Sequence, residues 1–231
     1  MEAYESLVAL NGYRDSKEKA SEIFGKYMDE KLKNIKVGDA VFFGLYEQDN
    51  NNSNGKEDIE WTVLDKNGKS LFLISKYALD CQPYNSYYSD VTWESCSLRK
   101  WLNETFLNNA FTAEEQSLIK NTNVSADKNP EYSTNPGNAT TDKVFLLSIT
   151  EAKKYFTSDS ARQCKPTKYA IARGAWASSS NGNCWWWLRS PDFNQLSAAG
   201  VNYDGSFYCS GDFGKYSDGS VRPALWITLD S

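Results

Sequence analysis

The side chains of this sequence best able to do chemistry are its five cysteines and 30 acids, because it has no histidine. Without an imidazole, the commonest general base and the commonest metal ligand are both missing. Triads built on histidine and mixed Cys/His zinc sites are excluded. Cys81, Cys96, Cys164, Cys184 and Cys209 include no Cys-x-x-Cys pair, so zinc-ribbon and thioredoxin chemistry fail on spacing. Their odd number leaves at least one thiol free in a monomer. Small buried thiols are the plain expectation, with one disulfide as the alternative. Cys184 and Cys209 would meet if their strands paired, and an oxidase would need such a redox-active pair in a cleft. A hydrolase built on two carboxylates has acids in plenty, but nothing singles out two of them. We expect no cofactor and no metal.

The other chemistry on offer is recognition. The chain carries 8 Trp, 14 Tyr and 11 Phe. Rigid aromatics give contact area at low entropic cost, and short polar side chains add adaptable hydrogen bonds. Between Pro191 and Ser220 the sequence is mostly Gly, Asn, Asp, Ser, Tyr and Phe. The candidate ligand-binding residues are Asp192, Phe193, Asn194, Gln195, Asn202, Tyr203, Ser206, Tyr208, Ser210, Asp212, Phe213 and Tyr216. They fall in three segments, 192–197, 202–208 and 210–217, with too few aliphatic residues to make a core. Exposed aromatics there would form one patch of the kind that marks an interaction site. The expected partner is a protein or a glycan. A net charge of −5 argues against nucleic acid. No apolar run approaches the ~18 residues of a membrane span. Met1-Glu2-Ala3 opens without the features of a secretion signal. The cytoplasm or a bacterial cell surface, as part of a longer anchored protein, would both suit such a chain.

Those segments need a frame. The spacing predicts a helical hairpin over 1–36, with a first helix over Glu2–Leu10 and a second opened by Asp15 and Glu18. Ala20, Ile23, Phe24, Tyr27, Met28, Leu32 and Ile35 then form an apolar stripe. From Val37 the pattern turns β-rich, and 37–231 reads as one domain. Strands are predicted at Ala40–Tyr46, Ile59–Leu64 and Ser70–Ser75, the last two joined by a type I′ turn at Asn67-Gly68. Helices are predicted at Cys96–Phe106, after Thr112, after Ser148 and over Thr167–Arg173, with a long polar loop over Asn121–Asp142. Trp185 and Trp187 must share one face of their strand and Trp186 the other. Asp204-Gly205 signals a second hairpin, and Val221–Ile227 a closing strand that shares a sheet with the first. Arg189 and Arg222, set in apolar strands, need carboxylates or carbonyls as partners and are read as framework.

The run Trp185-Trp186-Trp187-Leu188-Arg189-Ser190-Pro191, then Asp204-Gly205-Ser206, then Val221-Arg222-Pro223-Ala224-Leu225-Trp226-Ile227 resembles a bacterial domain family of unknown function, DUF6273, common in gut Firmicutes. Ile59-Glu60-Trp61, the stretch from Leu73 to Asp80 and Ser97–Leu102 fit it too, so the resemblance runs from about Val37 to Ser231. Gly12-Tyr13-Arg14-Asp15-Ser16 resembles segments found ahead of this domain. The resemblance implies an α+β, C-type-lectin-like fold, similar to formylglycine-generating enzymes and to the variable proteins of diversity-generating retroelements. Those variable proteins display altered residues on a C-terminal surface held by a rigid frame. Most residue types from Asp192 to Ser217 are reachable from an AAC codon with altered adenines, though Gln195 and Lys215 are not. The resemblance thus implies a binding module with a diversified terminal surface. A formylglycine-generating-type oxidase, or a display module with no diversified site, are the alternatives. The calcium-lectin signatures Glu-Pro-Asn and Trp-Asn-Asp are absent.

Overall fold

Side-chain alternation builds the first strand, β1 (Ala40–Tyr46), which turns Val41, Phe43 and Tyr46 inward and Phe42 and Leu45 outward. The alternation slips at Gly44, where the pairing register also shifts. Gly44 sits at φ +75°, and a Cβ there would fall 2.5 Å from the Phe111 ring. Only glycine fits both the bulge and the approach. The computed structural model describes residue 23, residues 25–213 and residues 218–228, with the backbone alone over 209–213. The expected first helix, the Asp15–Glu18 cap and Tyr216 lie outside the described residues, as do the side chains of Cys209, Ser210, Asp212 and Phe213.

β2 (Glu57–Asn67) and β3 (Ser70–Ser75) form the expected hairpin, but Asn67 pairs with Ser70. The turn residues are therefore Gly68 and Lys69. Only Gly68 has a positive φ, +59°. That is the type II′ pattern, with glycine first, and it replaces the predicted type I′ turn on Asn67-Gly68.

The chain is an α+β protein. One five-stranded antiparallel sheet runs β1-β2-β3-β12-β7, with β7 at Val144–Phe145 and β12 at Ala224–Thr228. A second runs β10-β9-β8-β11-β4, with β4 at Asp80–Cys81, β8 at Trp186–Pro191, β9 at Ser197–Val201, β10 at Phe207–Phe213 and β11 at Ser220–Val221. First and last strands share a sheet, as expected. The predicted closing strand is in fact two, because β11 and β12 belong to different sheets. Arg222-Pro223 makes the switch, and proline suits it, having no N–H to give to a ladder. A short pair, β5 (Thr122–Val124) and β6 (Thr140–Asp142), pinches off the long polar loop.

Helix α1, over residues 25–32, buries Met28 and Leu32 in the main core. Cys96 caps α2, its sulfur accepting from Arg99 N. α2 runs over Ser97–Trp101, a π-helical turn at Leu102–Phe106, and Leu107–Ala110. Thr112 and Glu115 form both arms of a capping box on α3 (Ala113–Leu118), and Ser148 and Glu151 do the same for α4 (Ile149–Tyr155). α5 (Asp159–Arg162) gave no clear signal in sequence, whereas α6 (Lys168–Ala172) is the helix expected after Thr167.

Candidate functional site

β8, β9 and β10 form a meander, so its two turns lie at opposite ends of β9. A strand the length of β9 spans about 16 Å. The candidate residues therefore do not make one continuous face. Residues 192–197 share one end with the close of β10, where Phe213 pairs with Ser197 and Asp212 with Ala198. Asn202, Tyr203 and Ser206 sit at the other.

At the first end the turn is held by its own polar groups. Asn194 Oδ1 accepts from Leu196 N at 2.8 Å and from Ser197 Oγ at 2.9 Å. Asp192 and Ser197 are fully buried, so neither presents a side chain to solvent. Gln195 reaches outward only to fasten neighbours. Its Nε2 donates to Val91 O at 2.8 Å and to Asn135 O at 3.0 Å, while its own carbonyl accepts from Val91 N at 2.8 Å. Three loops are thus tied at one residue. A shallow pocket of about 250 Å³ opens there, lined by Asp90, Val91, Thr92, Ser95, Asn135 and Gln195. In the same turn Phe193 meets Tyr132 edge to face, centroids 6.3 Å apart, the two residues 46% and 39% exposed. Tyr87 and Tyr88, on the loop leading into Asp90, are more exposed still.

At the second end Ser206 N and Oγ both donate to Asp204 Oδ1, at 2.9 and 2.7 Å, which holds that exposed carboxyl below its usual range. Asn202 Nδ2 donates to Ser206 Oγ at 3.1 Å. Gly205 is at φ +89°, and a Cβ there would lie 1.7 Å from Asp159 O. Tyr203 meets Trp176 edge to face at 5.5 Å, both exposed. Tyr208, on β10, is half-buried.

The frame beneath is rigid. Trp185 and Trp187 pack edge to face at 4.6 Å on one face of the strand, while Trp186 lies on the other and donates to Arg162 O at 3.2 Å. Arg189, 3% exposed, donates to Leu146 O at 2.8 Å, to Ser125 O at 3.2 Å and to Glu151 Oε1 at 3.0 Å. This is the carbonyl-and-carboxylate cage the sequence demanded. Asp80, also buried, accepts from Tyr46 Oη at 2.5 Å and from Cys81 N at 2.6 Å. Burial pushes the Asp80 carboxyl up, partly offset by those donors, and burial beside Asp80 pushes the Tyr46 hydroxyl up as well.

Residues 68–229 match the family described as Domain of unknown function (DUF6273). The chain belongs to the DUF6273 family. No curated protein and no solved structure is detectably similar to it. The DUF6273 match opens in the β2–β3 turn, so β1 and β2 lie outside it although they complete the first sheet. This is shorter than the span from Val37 that the motifs suggested. Within the DUF6273 domain, sequence reasoning missed Tyr132, Trp176, Tyr87 and Tyr88. Tyr132 did lie in a loop flagged by its length, whereas nothing local marked Trp176.

Two other groupings bear on chemistry. Glu47, Asp49 and Glu57 bring one carboxylate oxygen each within 4.8 Å of one another, the one such grouping among the described residues. Loop donors meet them: Asn51 N gives to Glu47 Oε1 at 3.0 Å and to Asp49 Oδ1 at 2.8 Å, and Gln48 N to Glu57 Oε2 at 2.7 Å. Those bonds close the Asn-rich loop of 49–58. Cys184 and Cys209 do not meet through paired strands, because β9 lies between β8 and β10. Cys184 instead faces Cys164.

Proposed function

We propose that this DUF6273 domain is a recognition module with a C-type-lectin-like arrangement that binds a protein or glycan surface at the Phe193–Tyr132 end of its second sheet. One observation carries the reading: Gln195 ties three loops together in the same turn that carries Phe193, one ring of an exposed aromatic pair. Exposed aromatics on a pre-ordered support lose little entropy on binding, which is the economy recognition loops exploit. The sharing of one sheet by β1 and β12 and the β8–β9–β10 meander of the second sheet support the lectin-like arrangement. Diversification, where it operates, falls on outward side chains such as Phe193. Asp192 and Ser197 are buried, Asn194 is hydrogen-bonded within the turn and Gln195 is hydrogen-bonded to the neighbouring loops, so all four belong to the frame. The reading is non-enzymatic.

The test is an array of immobilised mammalian and bacterial glycans together with a displayed peptide library. Both are probed with the chain and with its Phe193→Ala/Tyr132→Ala double variant. The reading expects a binder that the variant loses at least about tenfold, one to two kcal/mol of hot-spot energy, with its melting temperature kept. Equal binding by both proteins would overturn it.

A further inference from the structure

We propose that Cys164 and Cys184 close to an intrachain disulfide when the chain meets a small-molecule disulfide oxidant. The two residues face each other as an isolated antiparallel pair, and Cys184 N donates to Cys164 O at 2.8 Å. Residues opposed as a hydrogen-bonded antiparallel pair hold their Cα atoms about 5.5 Å apart. A disulfide spans about 4.4–6.8 Å, so no backbone movement is required. The thiols are turned into the same small space: the Cys184 thiol donates to Cys164 O at 3.5 Å, and the Cys164 thiol donates to Lys76 O and Lys165 O, both at 3.6 Å. Cys81 and Cys96 are also buried, but neither faces another sulfur across a strand pair, and the Cys96 sulfur is engaged in capping α2.

The surroundings act differently on the two sulfurs. Burial alone would raise the Cys164 thiol; the hydrogen bond from Cys184 and the Arg222 charge outweigh it and bring it down to about 7. The same hydrogen bond, with burial, raises Cys184. Exchange can begin with Cys164 attacking and Cys184 resolving; the opposite order gives the same disulfide and the same small-molecule products. In the first step Cys164 attacks one sulfur of the oxidant, breaking its S–S bond and expelling one thiolate. In the second, Cys184 gives its proton to that thiolate and attacks the Cys164 sulfur, expelling the other half. Two protein thiols are oxidised, and one small disulfide is reduced to two thiols.

Both sulfurs are buried, 3% and 0% exposed, so exchange proceeds during folding or through opening of the segment between them. That segment, 165–183, is largely exposed and carries Trp176, the partner of Tyr203. The cross-link would fix it to the start of β8.

The test uses the full chain, equilibrated with excess oxidised glutathione both when folded and during refolding from denaturant. Free thiols are then alkylated in denaturant and the peptides mapped without reduction. The expected result is a Cys164–Cys184 peptide joined with loss of two hydrogens. The oxidised chain should also melt about 5–10 °C above the reduced one. Cys164→Ala and Cys184→Ala should each abolish that shift, while Cys81→Ala keeps it. Full alkylation, stable glutathione adducts or a different pairing under both regimes would overturn the proposal. The map of the unaltered chain decides this even where a variant does not fold.

Discussion

The guanidinium of Arg222 lies 5.1 Å from the centre of the Trp186 ring and 5.2 Å from that of Phe156, at the point where the chain leaves one sheet for the other. Its Nε donates to Ser75 O at 2.9 Å, and Pro223 O accepts from Ser75 N at 3.0 Å. The arginine therefore binds the end of β3 in the first sheet to β8 in the second. An aliphatic side chain could fill that space, but it could not satisfy the carbonyl or exploit both ring faces.

Arg222→Ala should cost about 2–4 kcal/mol through the unpaired carbonyl and the lost ring contacts. Arg222→Lys should recover less than half, because an ammonium is a point donor and does not stack as a planar guanidinium does. Urea denaturation of the two variants measures both. A lysine variant as stable as the parent would sink the account.

Trp187 is completely buried and donates through Nε1 to Gln82 O at 3.0 Å. A Cβ on Gly219 would lie 2.0 Å from that nitrogen, so the ring is closely fitted. Trp187→Ala should cost about 3–5 kcal/mol. Trp187→Phe should cost less, since it mainly loses the hydrogen bond. A thermal melt with no loss for the alanine variant would remove Trp187 from the frame.

The pH dependence of stability should carry the mark of Asp80. Burial raises its carboxyl in the folded state, so just above the unfolded value of about 3.9 the folded chain holds a proton that the unfolded chain has lost. Asp80 therefore contributes most below that value, and its contribution falls as pH rises towards the folded pKa. Asp80→Asn does not titrate. Its stability relative to the parent should improve steadily from about pH 4 upward and then level off. Melting curves across that range would show it, and a constant difference would mean that Asp80 ionises normally.

Much of the frame could be read from the sequence because its signals are local. Thr112 with Glu115 and Ser148 with Glu151 announce their caps within one turn, and the short apolar run of Ala40–Tyr46 declares a strand. What could not be read depends on partners distant in sequence. Nothing near Arg222 says that the strands on either side of it join different sheets. The candidate site failed as a single face for a similar reason. Composition marked 192–217 as loop-like, but only the β9 pairings set its two turns at opposite ends. Tyr132 entered the site because Asn129 Nδ2 bonds Pro191 O at 2.9 Å, and Asn135 O bonds Gln195, a docking that no local pattern encodes.

Within one turn, Phe193 and Gln195 should respond in opposite ways. Phe193 is nearly half exposed, and its neighbour Tyr132 is exposed too, so Phe193→Ala gives up little burial. It should change stability by no more than about 0.5 kcal/mol, as surface substitutions usually do. Gln195→Ala removes both side-chain donors that hold Val91 O and Asn135 O. It should cost about 1–2 kcal/mol, and amide exchange should quicken across residues 85–95 and 129–138 together. The two variants thus separate display from support. If Phe193→Ala unfolds the domain, the ring is core and the recognition surface must lie elsewhere. If Gln195→Ala leaves exchange unchanged in both loops, the three are not fastened through it and the surface is not pre-ordered.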